Sequence, residues 1–318
     1  MKAAVICSQG IGDGLLMMVA SHRLFSNGYD VTTFHNSLNE LSRWFPNHKF
    51  QKKSSLHPIE EILSSYDLIV LQNDNSDLAF SIITLYKQGR LHNLSVFYAS
   101  YSSTRHLSLT SWDRVFNLSR PMVDNIAEAI ASVLQSKQIS KNNGIVPPNE
   151  YSYKKNPKRI LIHPTTTYSK KTWDPKKFLT TARFLRKEGY EVAFCIHPSE
   201  QEEWKSRTLG EFPLPLFPTL ADLSSYIYES GYIIGNDSGP GHLASNLQIP
   251  SLIIAGCYKQ MALWRPGWFA GGVVLPPSWI PNVKGFRLRK NKWQHFISSR
   301  RVLSHFHTLV KINQISIN

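Results

Sequence analysis

The sequence predicts an α/β protein made of two successive domains, each with its own parallel sheet. Short apolar runs rich in β-branched residues alternate with segments whose apolar residues recur at helical spacing, which is typical of a parallel sheet covered by helices. Residues 136–158 interrupt this pattern with Ser, Lys, Asn and Pro, and Pro147-Pro148 lies in the middle. Because such composition is typical of a linker, we expect one domain at 1–150 and another at 151–299.

Composition excludes several classes of protein. The chain has 318 residues, of which 42% are hydrophobic and 18% charged, so it is globular rather than disordered. No apolar run approaches the roughly 20 residues that span a bilayer, and Gln9-Gly10 ends the first apolar run too early for a signal peptide. The three cysteines, at 7, 195 and 257, have no metal-binding spacing and predict reduced core thiols of a cytoplasmic protein.

The formal net charge is +14, which predicts an anionic partner. Nucleic acid, an acidic membrane surface and a phosphorylated substrate all fit, and a solvated basic surface is the alternative. The sequence has no zinc-finger spacing, no RNP aromatic signature and no internal repeat, so we expect no nucleic acid partner.

The first domain opens with a strand at Ala3–Cys7, a glycine-containing turn at 10–14, and a helix with apolar residues at helical spacing. It continues with strands at 30–34, 68–71 and 94–99, helices at 38–45, 59–65, 78–87 and 122–134, and loops over 98–120. The turn does not match the dinucleotide fingerprint. Asp13 within it is either a carboxylate presented to a ligand at the carboxyl edge of the sheet, or a helix-dipole partner contributing less than about 1 kcal/mol.

The second domain repeats the alternation. Strands are predicted at 159–163, 191–197, 232–234 and 251–255, and helices from Asp174-Pro175 to about Gly189, at 219–229 and at 243–247. The basic tail from Trp293 onwards predicts an amphipathic helix that packs on a domain, with contact to a membrane surface as the alternative.

Two strand-to-helix loops of the second domain carry polar chemistry. The loop at 163–173 holds a run of three threonines and two lysines, which suit a diphosphate, although a lysine-rich surface loop is the alternative. The stretch Gly235–His242 places an acid, a hydroxyl, glycines and a histidine at a helix start, where backbone N–H groups favour phosphate. The alternative there is that Asp237 and Ser238 simply cap the helix.

Together these stretches resemble the heptosyltransferase family, glycosyltransferase family 9. Three motifs carry the resemblance, namely Gly10-Ile11-Gly12-Asp13, then Thr166-Thr167 with Lys171-Thr172-Trp173, and Asp237-Ser238-Gly239-Pro240-Gly241-His242 with Trp264-Arg265-Pro266. The resemblance implies the GT-B fold, in which two Rossmann-like α/β domains hold the active site between them. It also implies that a last helix at about 300–318 packs back on the first domain.

The same resemblance implies an inverting, metal-independent transfer of heptose from ADP-heptose to the inner core of lipopolysaccharide, without a cofactor. It makes Asp13 the general base and Lys171 the contact to the donor phosphates. The donor site would be lined by Gly12, Thr166, Thr167, Lys171, Asp237, Ser238, Gly239 and His242. The expected partners are a nucleotide-sugar donor, an anionic glycolipid acceptor and the inner face of the cytoplasmic membrane, on which a cytoplasmic enzyme would lie peripherally.

Other functions remain open from the sequence. The chain could be a non-catalytic GT-B-like protein that binds a sugar nucleotide, or a transferase with another nucleotide-sugar donor. A sugar-nucleotide 2-epimerase is disfavoured, because such enzymes use several carboxylates and only Asp13 and Asp237 lie at sheet-edge turns. A basic nucleic-acid binder would lose affinity steeply with salt.

Overall fold

The computed structural model describes residues 1–167, 169–283 and 287–315. The chain divides into two compact units, Met1–Pro148 and Asn149–Asn318, and the division falls inside the proline-containing linker. No helix in the described ranges is both long and apolar enough to cross a membrane.

The first unit is a parallel sheet with helices along the chain between its strands. Its elements are β1 (Lys2–Ile6), α1 (Ile11–Phe25), β2 (Asp30–Phe34), β3 (Lys49–Gln51), α2 (Ile59–Leu63), β4 (Leu68–Asn73), α3 (Asp77–Lys87), β5 (Leu94–Tyr98), β6 (Arg114–Val115) and α4 (Met122–Val133). The sheet order is β3-β2-β1-β4-β5-β6 and every pairing is parallel. This is the Rossmann strand order, in which ligands bind where the order reverses, here at the carboxyl ends of β1 and β4.

The burial of the strands of the first unit explains why the sequence predicts them. Residues 3–6 of β1 and 94–98 of β5 are buried throughout, as expected for parallel strands covered on both faces. The segment Leu38–Trp44, predicted as an α-helix, is instead a 3-10 helix. Its buried residues Leu38, Leu41 and Trp44 recur every third position, which matches three residues per turn.

The second unit holds the remaining elements. They are β7 (Asn156–His163), α5 (Pro175–Lys187), β8 (Glu191–Phe194), α6 (Gln201–Thr208), α7 (Leu220–Tyr228), β9 (Ser230–Asn236), α8 (Gly239–Asn246), β10 (Ser251–Ile254), α9 (Tyr258–Trp264), β11 (Gly271–Val274), α10 (Leu288–Asn291), α11 (Trp293–Phe296) and α12 (Ser299–Ile315). Two predicted helix starts are confirmed: Asp174 caps α5, and Thr219 forms a capping box with Asp222 at α7.

The second sheet is also entirely parallel, in the order β11-β10-β9-β7-β8. The order reverses between β7 and β9, so the carboxyl ends of these two strands form the expected ligand position. The chain after β7 is the lysine-containing loop 163–173, and the chain after β9 is the Asp237 turn. The two stretches singled out from the sequence therefore lie at one edge of one sheet.

The last helix differs from its prediction. Its buried residues Val302, Leu303, Phe306 and Leu309 belong to the core of the second unit, together with Trp173, whereas the sequence-based expectation placed this helix on the first domain. The reason is aromatic packing, because the Phe306 ring lies edge-on to Tyr190 and Tyr232 of the second unit. Residues 316–318 of the predicted helix lie outside the described residues.

Candidate functional site

A cavity of about 510 Å³ lies at the carboxyl edge of the second sheet. It is lined by Lys170, Lys171, Asp237, Ala255, Gly256, Cys257, Gln260, Lys290, Asn291, Trp293 and Gln294. Three of these residues are lysines and one is an aspartate, so the cavity has a net positive charge and suits an anion.

Lys171 and Asp237 form an ion pair in this cavity. Lys171 Nζ lies 3.5 Å from Asp237 Oδ2, with side chains 42% and 12% exposed, and Gln260 Nε2 donates to the same oxygen at 3.3 Å. Burial raises the pKa of the Asp237 carboxyl above its usual value, and the ammonium group of Lys171 opposes that rise. One carboxylate thus fixes the lysine while leaving its ammonium group partly exposed to a ligand.

Asn236, at the end of β9, holds the lysine-containing loop in place. Its side-chain oxygen accepts from the backbone N–H of Trp173 at 3.0 Å, and its Nδ2 donates to the Pro164 carbonyl at 2.7 Å. Trp173 is fully buried, and its Nε1 donates to the Ile297 carbonyl at 3.1 Å. Trp173 therefore anchors the end of the loop, and Tyr168 of the same loop lies outside the described residues.

Trp293 joins the segment that carries Lys290 to the lysine-containing loop. Its Nε1 donates to the Lys170 carbonyl at 3.1 Å, and Gln294 Nε2 donates to the same oxygen at 3.2 Å. The indole packs so closely on Gly256 that an added Cβ there would lie 2.6 Å from the ring. Glycine is required at this position for contact rather than for backbone conformation.

Two other predicted donor-site residues, Thr166 and Ser238, have local partners of their own. Thr166 Oγ1 lies 3.1 Å from Thr172 Oγ1, and Thr167 is exposed. The Ser238 hydroxyl donates to the Asn236 carbonyl at 3.1 Å and makes no cap on α8, which begins at Gly239. Ser238 occupies the N-cap position of α8, but its side chain accepts no hydrogen bond from the backbone N–H groups of the helix start. The alternative that the Ser238 side chain caps the helix is thus wrong.

His242 is buried and is not part of the cavity lining. Its ring lies edge-on to Trp268, at 6.5 Å between centroids. Burial lowers its pKa to about 4, against a hydrogen bond to the Trp264 carbonyl. Nδ1 is buried without a hydrogen-bond partner among the described residues, so Nε2 makes the bond to Trp264. His242 is therefore neutral at neutral pH and does not supply positive charge to a phosphate.

In the first unit, Asp13 lies in the first turn of α1, at the point where the strand order reverses. Gln72 Nε2 donates to Asp13 Oδ1 at 2.7 Å, and Gln72 Oε1 accepts from the backbone N–H of Ser8 at 3.0 Å. A Cβ at Gly10 would lie 2.8 Å from Asp13 Oδ2, so this glycine makes room for the carboxylate. Gly12 lies beside it in the same turn and is partly exposed.

His35, which follows β2, braces the same turn. Its Nδ1 accepts from the backbone N–H groups of Ser37 and Leu38, at 3.1 and 3.2 Å. Nε2 must then carry the proton, and it donates to the Gly10 carbonyl at 3.2 Å. Burial lowers the pKa of His35, which keeps the ring neutral and preserves this arrangement.

Sequence reasoning missed several of these residues. Gln72 is a polar residue at the end of an apolar strand, and that position at the carboxyl edge was the available signal. Lys290 lies in a basic run, Arg287 to Lys292, just before the predicted tail. Cys257 was expected in the core; it is exposed and lines the cavity, while Cys7 and Cys195 are buried and all three are free.

The described part of the chain contains no group of three or more His, Cys, Asp or Glu side chains arranged to hold a metal ion. The cavity offers amine, amide and indole groups, one carboxylate and one thiol.

Comparison with known proteins identifies the family. The model of glycosyltransferase family 9 (heptosyltransferase) matches residues 98–264, which include the lysine-containing loop and the Asp237 turn. The chain belongs to glycosyltransferase family 9. Asp13 lies outside the matched range.

A curated relative of this family is lipopolysaccharide heptosyltransferase 3 of Escherichia coli strain K12, 30% identical over 118 residues. That match spans 34% of this chain and 33% of the relative, about a third of each.

Solved structures show the fold over nearly the whole chain. The heptosyltransferase WaaC of E. coli, solved with ADP, is 13% identical, has a TM-score of 0.70 and covers 97% of this chain and 100% of its own. The ADP-heptose heptosyltransferase II of E. coli is 16% identical, has a TM-score of 0.70 and covers 99% and 100%. The predicted fold class is confirmed: the family 9 chain has the GT-B fold.

Proposed function

We propose that this chain is an inverting glycosyltransferase that moves heptose from ADP-heptose to the inner core of lipopolysaccharide. The observation that carries the proposal is the lysine-lined cavity at the point where the strand order of the second sheet reverses. Membership of family 9 supports transfer as the reaction. The names of the relatives, lipopolysaccharide heptosyltransferase 3 and a heptosyltransferase solved with ADP, support the proposed substrates.

In this proposal the donor diphosphate lies in the cavity. Lys171, held by Asp237 at 3.5 Å, contacts the phosphates, and Lys170 and Lys290 add charge from the other walls. The start of α8, which carries no side-chain cap, offers N–H groups to the same anion. Thr166, Thr167, Ser238 and Gly239 supply hydroxyl and backbone contacts, whereas His242 is buried and does not line the cavity.

Asp13 is the proposed general base. It takes the proton of the acceptor hydroxyl as that oxygen forms its bond to the anomeric carbon. The bond from the anomeric carbon to the diphosphate breaks on the opposite side, and its electron pair leaves with the nucleotide. Attack opposite the leaving group inverts configuration at that carbon. Gly12 lies next to Asp13 and allows close approach of a substrate.

The proposed reaction needs no metal, because lysine ammonium groups stabilise the charge that develops on the leaving diphosphate. His242 is excluded from this charge-stabilising role by its pKa of about 4. The acceptor and an anionic membrane surface are proposed as partners because the chain has a net charge of +14.

The first experiment is calorimetric titration of the protein with ADP, UDP and GDP in excess EDTA. It is followed by a turnover assay with ADP-heptose and a heptose-deficient lipopolysaccharide acceptor. We expect selective ADP binding without metal and release of ADP only when the acceptor is present. Preference for UDP or GDP would contradict the donor assignment. Binding of ADP-heptose with no turnover on any heptose-deficient acceptor would favour a sugar-nucleotide-binding protein instead.

A further inference from the structure

The amide of Gln72 is oriented between two fixed groups in the first unit. The residue lies near the end of β4 and is 3% exposed. Its Oε1 accepts from the Ser8 backbone N–H at 3.0 Å, and its Nε2 donates to Asp13 Oδ1 at 2.7 Å. The Gln72 side chain on β4 is thus hydrogen-bonded to Ser8, which follows the neighbouring strand β1, and to the carboxylate of Asp13 in α1.

Only one orientation of this amide satisfies both partners. The Ser8 N–H can only donate, so it must face the amide oxygen, and the carboxylate of Asp13 accepts from the NH₂ end. A flipped amide would place oxygen against oxygen and leave the Ser8 N–H against a donor. Because β1 and β4 are neighbouring parallel strands, the position of the amide is fixed by the sheet itself.

A buried glutamine most often serves only to satisfy backbone groups. Gln72 departs from that role, since one end of its amide is bonded to an ionisable side chain that is partly exposed. Glycine at position 10 also leaves space beside the other carboxylate oxygen, where a Cβ would lie at 2.8 Å.

We propose that Gln72 is a positioning residue for Asp13: it holds one carboxylate oxygen, and thereby sets the direction and basicity of the carboxylate that receives the acceptor proton. This inference rests on the proposed function, because it assigns a role within that reaction. A hydrogen bond donated to a carboxylate stabilises its ionised form. Gln72 therefore keeps Asp13 ionised to a lower pH than an apolar neighbour would.

Other charged or titratable groups surround this turn and contribute to its field. Lys53 Nζ lies 3.6 Å from Asp74 Oδ2, with side chains 11% and 15% exposed. Burial raises the pKa of the Cys7 thiol well above its usual value; Lys53 opposes that rise and Asp13 adds to it. His35 bonds to the Gly10 carbonyl and is neutral. None of these groups changes in a Gln72 variant, so a change in pH dependence reports the amide.

The test compares Gln72→Met, which keeps the length and removes the donor, with Gln72→Glu, which keeps the shape and adds a second carboxyl. The matched control is Gln88→Glu, an exposed position at the end of α3 in the same unit. Two properties are measured: kcat against pH, and the titration midpoint of the Asp13 carboxyl by ¹³C NMR, assigned with Asp13→Asn.

For Gln72→Met we expect kcat to fall about 10- to 100-fold. The acidic limb of the profile of kcat against pH should shift to higher pH by about half a unit or more. For Gln72→Glu the two carboxyls share a proton, and the limb moves up by about one unit or more. The NMR midpoint moves in the same direction. ADP affinity stays within about twofold of the wild type, because the cavity lies in the second unit.

An NMR midpoint and an acidic limb that match the wild type in both Gln72 variants would overturn the inference. Its failure can be told apart from failure of the proposed function. If Asp13→Asn keeps its turnover, the base assignment fails, whereas the NMR midpoint still decides whether Gln72 controls the carboxyl. If Asp13→Asn is inactive and the Gln72 variants behave like Gln88→Glu, only the positioning role fails.

Discussion

The side-chain oxygen of Asn236 accepts a hydrogen bond from the backbone N–H of Trp173 at 3.0 Å. A single buried side chain at the end of β9 therefore holds the loop that follows β7. Its other end donates to the Pro164 carbonyl at 2.7 Å. Both ends of the amide therefore bind backbone of the same loop, on either side of its lysines. The position of Lys171 therefore depends on this amide as well as on its own ion pair with Asp237.

Replacement of Asn236 by leucine should destabilise the protein and weaken donor binding together. Two buried backbone groups lose their partners, so we expect the free energy of unfolding to fall by about 2–4 kcal/mol. ADP affinity should fall as the loop loosens. Urea unfolding and calorimetry measure the two effects, with exposed Asn27→Leu as the control. Wild-type stability in Asn236→Leu would show that the loop is held by other contacts.

Lys171→Met should weaken ADP binding without unfolding the protein. A charged hydrogen bond to phosphate contributes about 1.5–3 kcal/mol, so affinity should fall roughly 10-fold or more. Loss of the ammonium group also removes the interaction that opposes the raised pKa of Asp237, so that carboxyl should protonate at higher pH. The control is Lys187→Met on the exposed end of α5. Equal ADP affinity in the two variants would remove Lys171 from the donor site.

Asp13→Asn should abolish turnover while ADP binding is unchanged. The amide keeps the size of the carboxylate but cannot accept the acceptor proton, and general-base catalysis contributes about 10²–10⁴-fold. Steady-state release of ADP measures the loss, and calorimetry confirms that the donor site is intact. An Asp13→Asn protein within tenfold of wild-type kcat would assign the base to another residue.

Gly256→Ala should displace Trp293 and reduce the cavity. An added Cβ would lie 2.6 Å from the indole, and the same indole donates to the Lys170 carbonyl. Overpacking of this kind costs about 1–3 kcal/mol, and ADP affinity should fall with it. The double variant Gly256→Ala with Trp293→Leu tests the cause. If the clash is responsible, the double variant is more stable than the sum of the single effects, and simple additivity would rule the clash out.

His242 should make the protein sensitive to mild acid. Its folded pKa is lowered from 6.5 to about 4 by burial, so the unfolded chain takes up a proton before the folded one does. The contribution of His242 to the free energy of unfolding is therefore fully present above its ordinary pKa of 6.5. It is lost as the pH falls towards the folded pKa. His242→Gln should lose less stability than the wild type between about pH 7.5 and pH 5, by roughly 2 kcal/mol.

Urea unfolding of both proteins at the two pH values checks this difference. Other histidines with lowered pKa values, such as His35 and His48, are present in both proteins, so the difference isolates His242. Parallel losses in wild type and variant would contradict the assignment.

The sequence by itself determined the α/β class, the two units and the two loops that meet at the carboxyl edge of the second sheet. These follow from local rules: apolar runs such as 68–71 must be buried as strands, and Asp174-Pro175 must start a helix. Two elements with weak local patterns, β11 and α6, were not predicted. Two of the four residues of β11 are glycines, and Trp204 is the buried aromatic residue of α6.

Only the tertiary structure decided which side chains touch. Gln72 and Asp13 are 59 positions apart, and Trp293 and Lys170 are 123 apart; strand order and loop packing bring them together, and neither is written in local periodicity. The structure likewise placed His242 in a buried, neutral state and gave α12 to the core of the second unit. Burial and long-range hydrogen bonding set these properties, because both depend on neighbours that are distant along the chain.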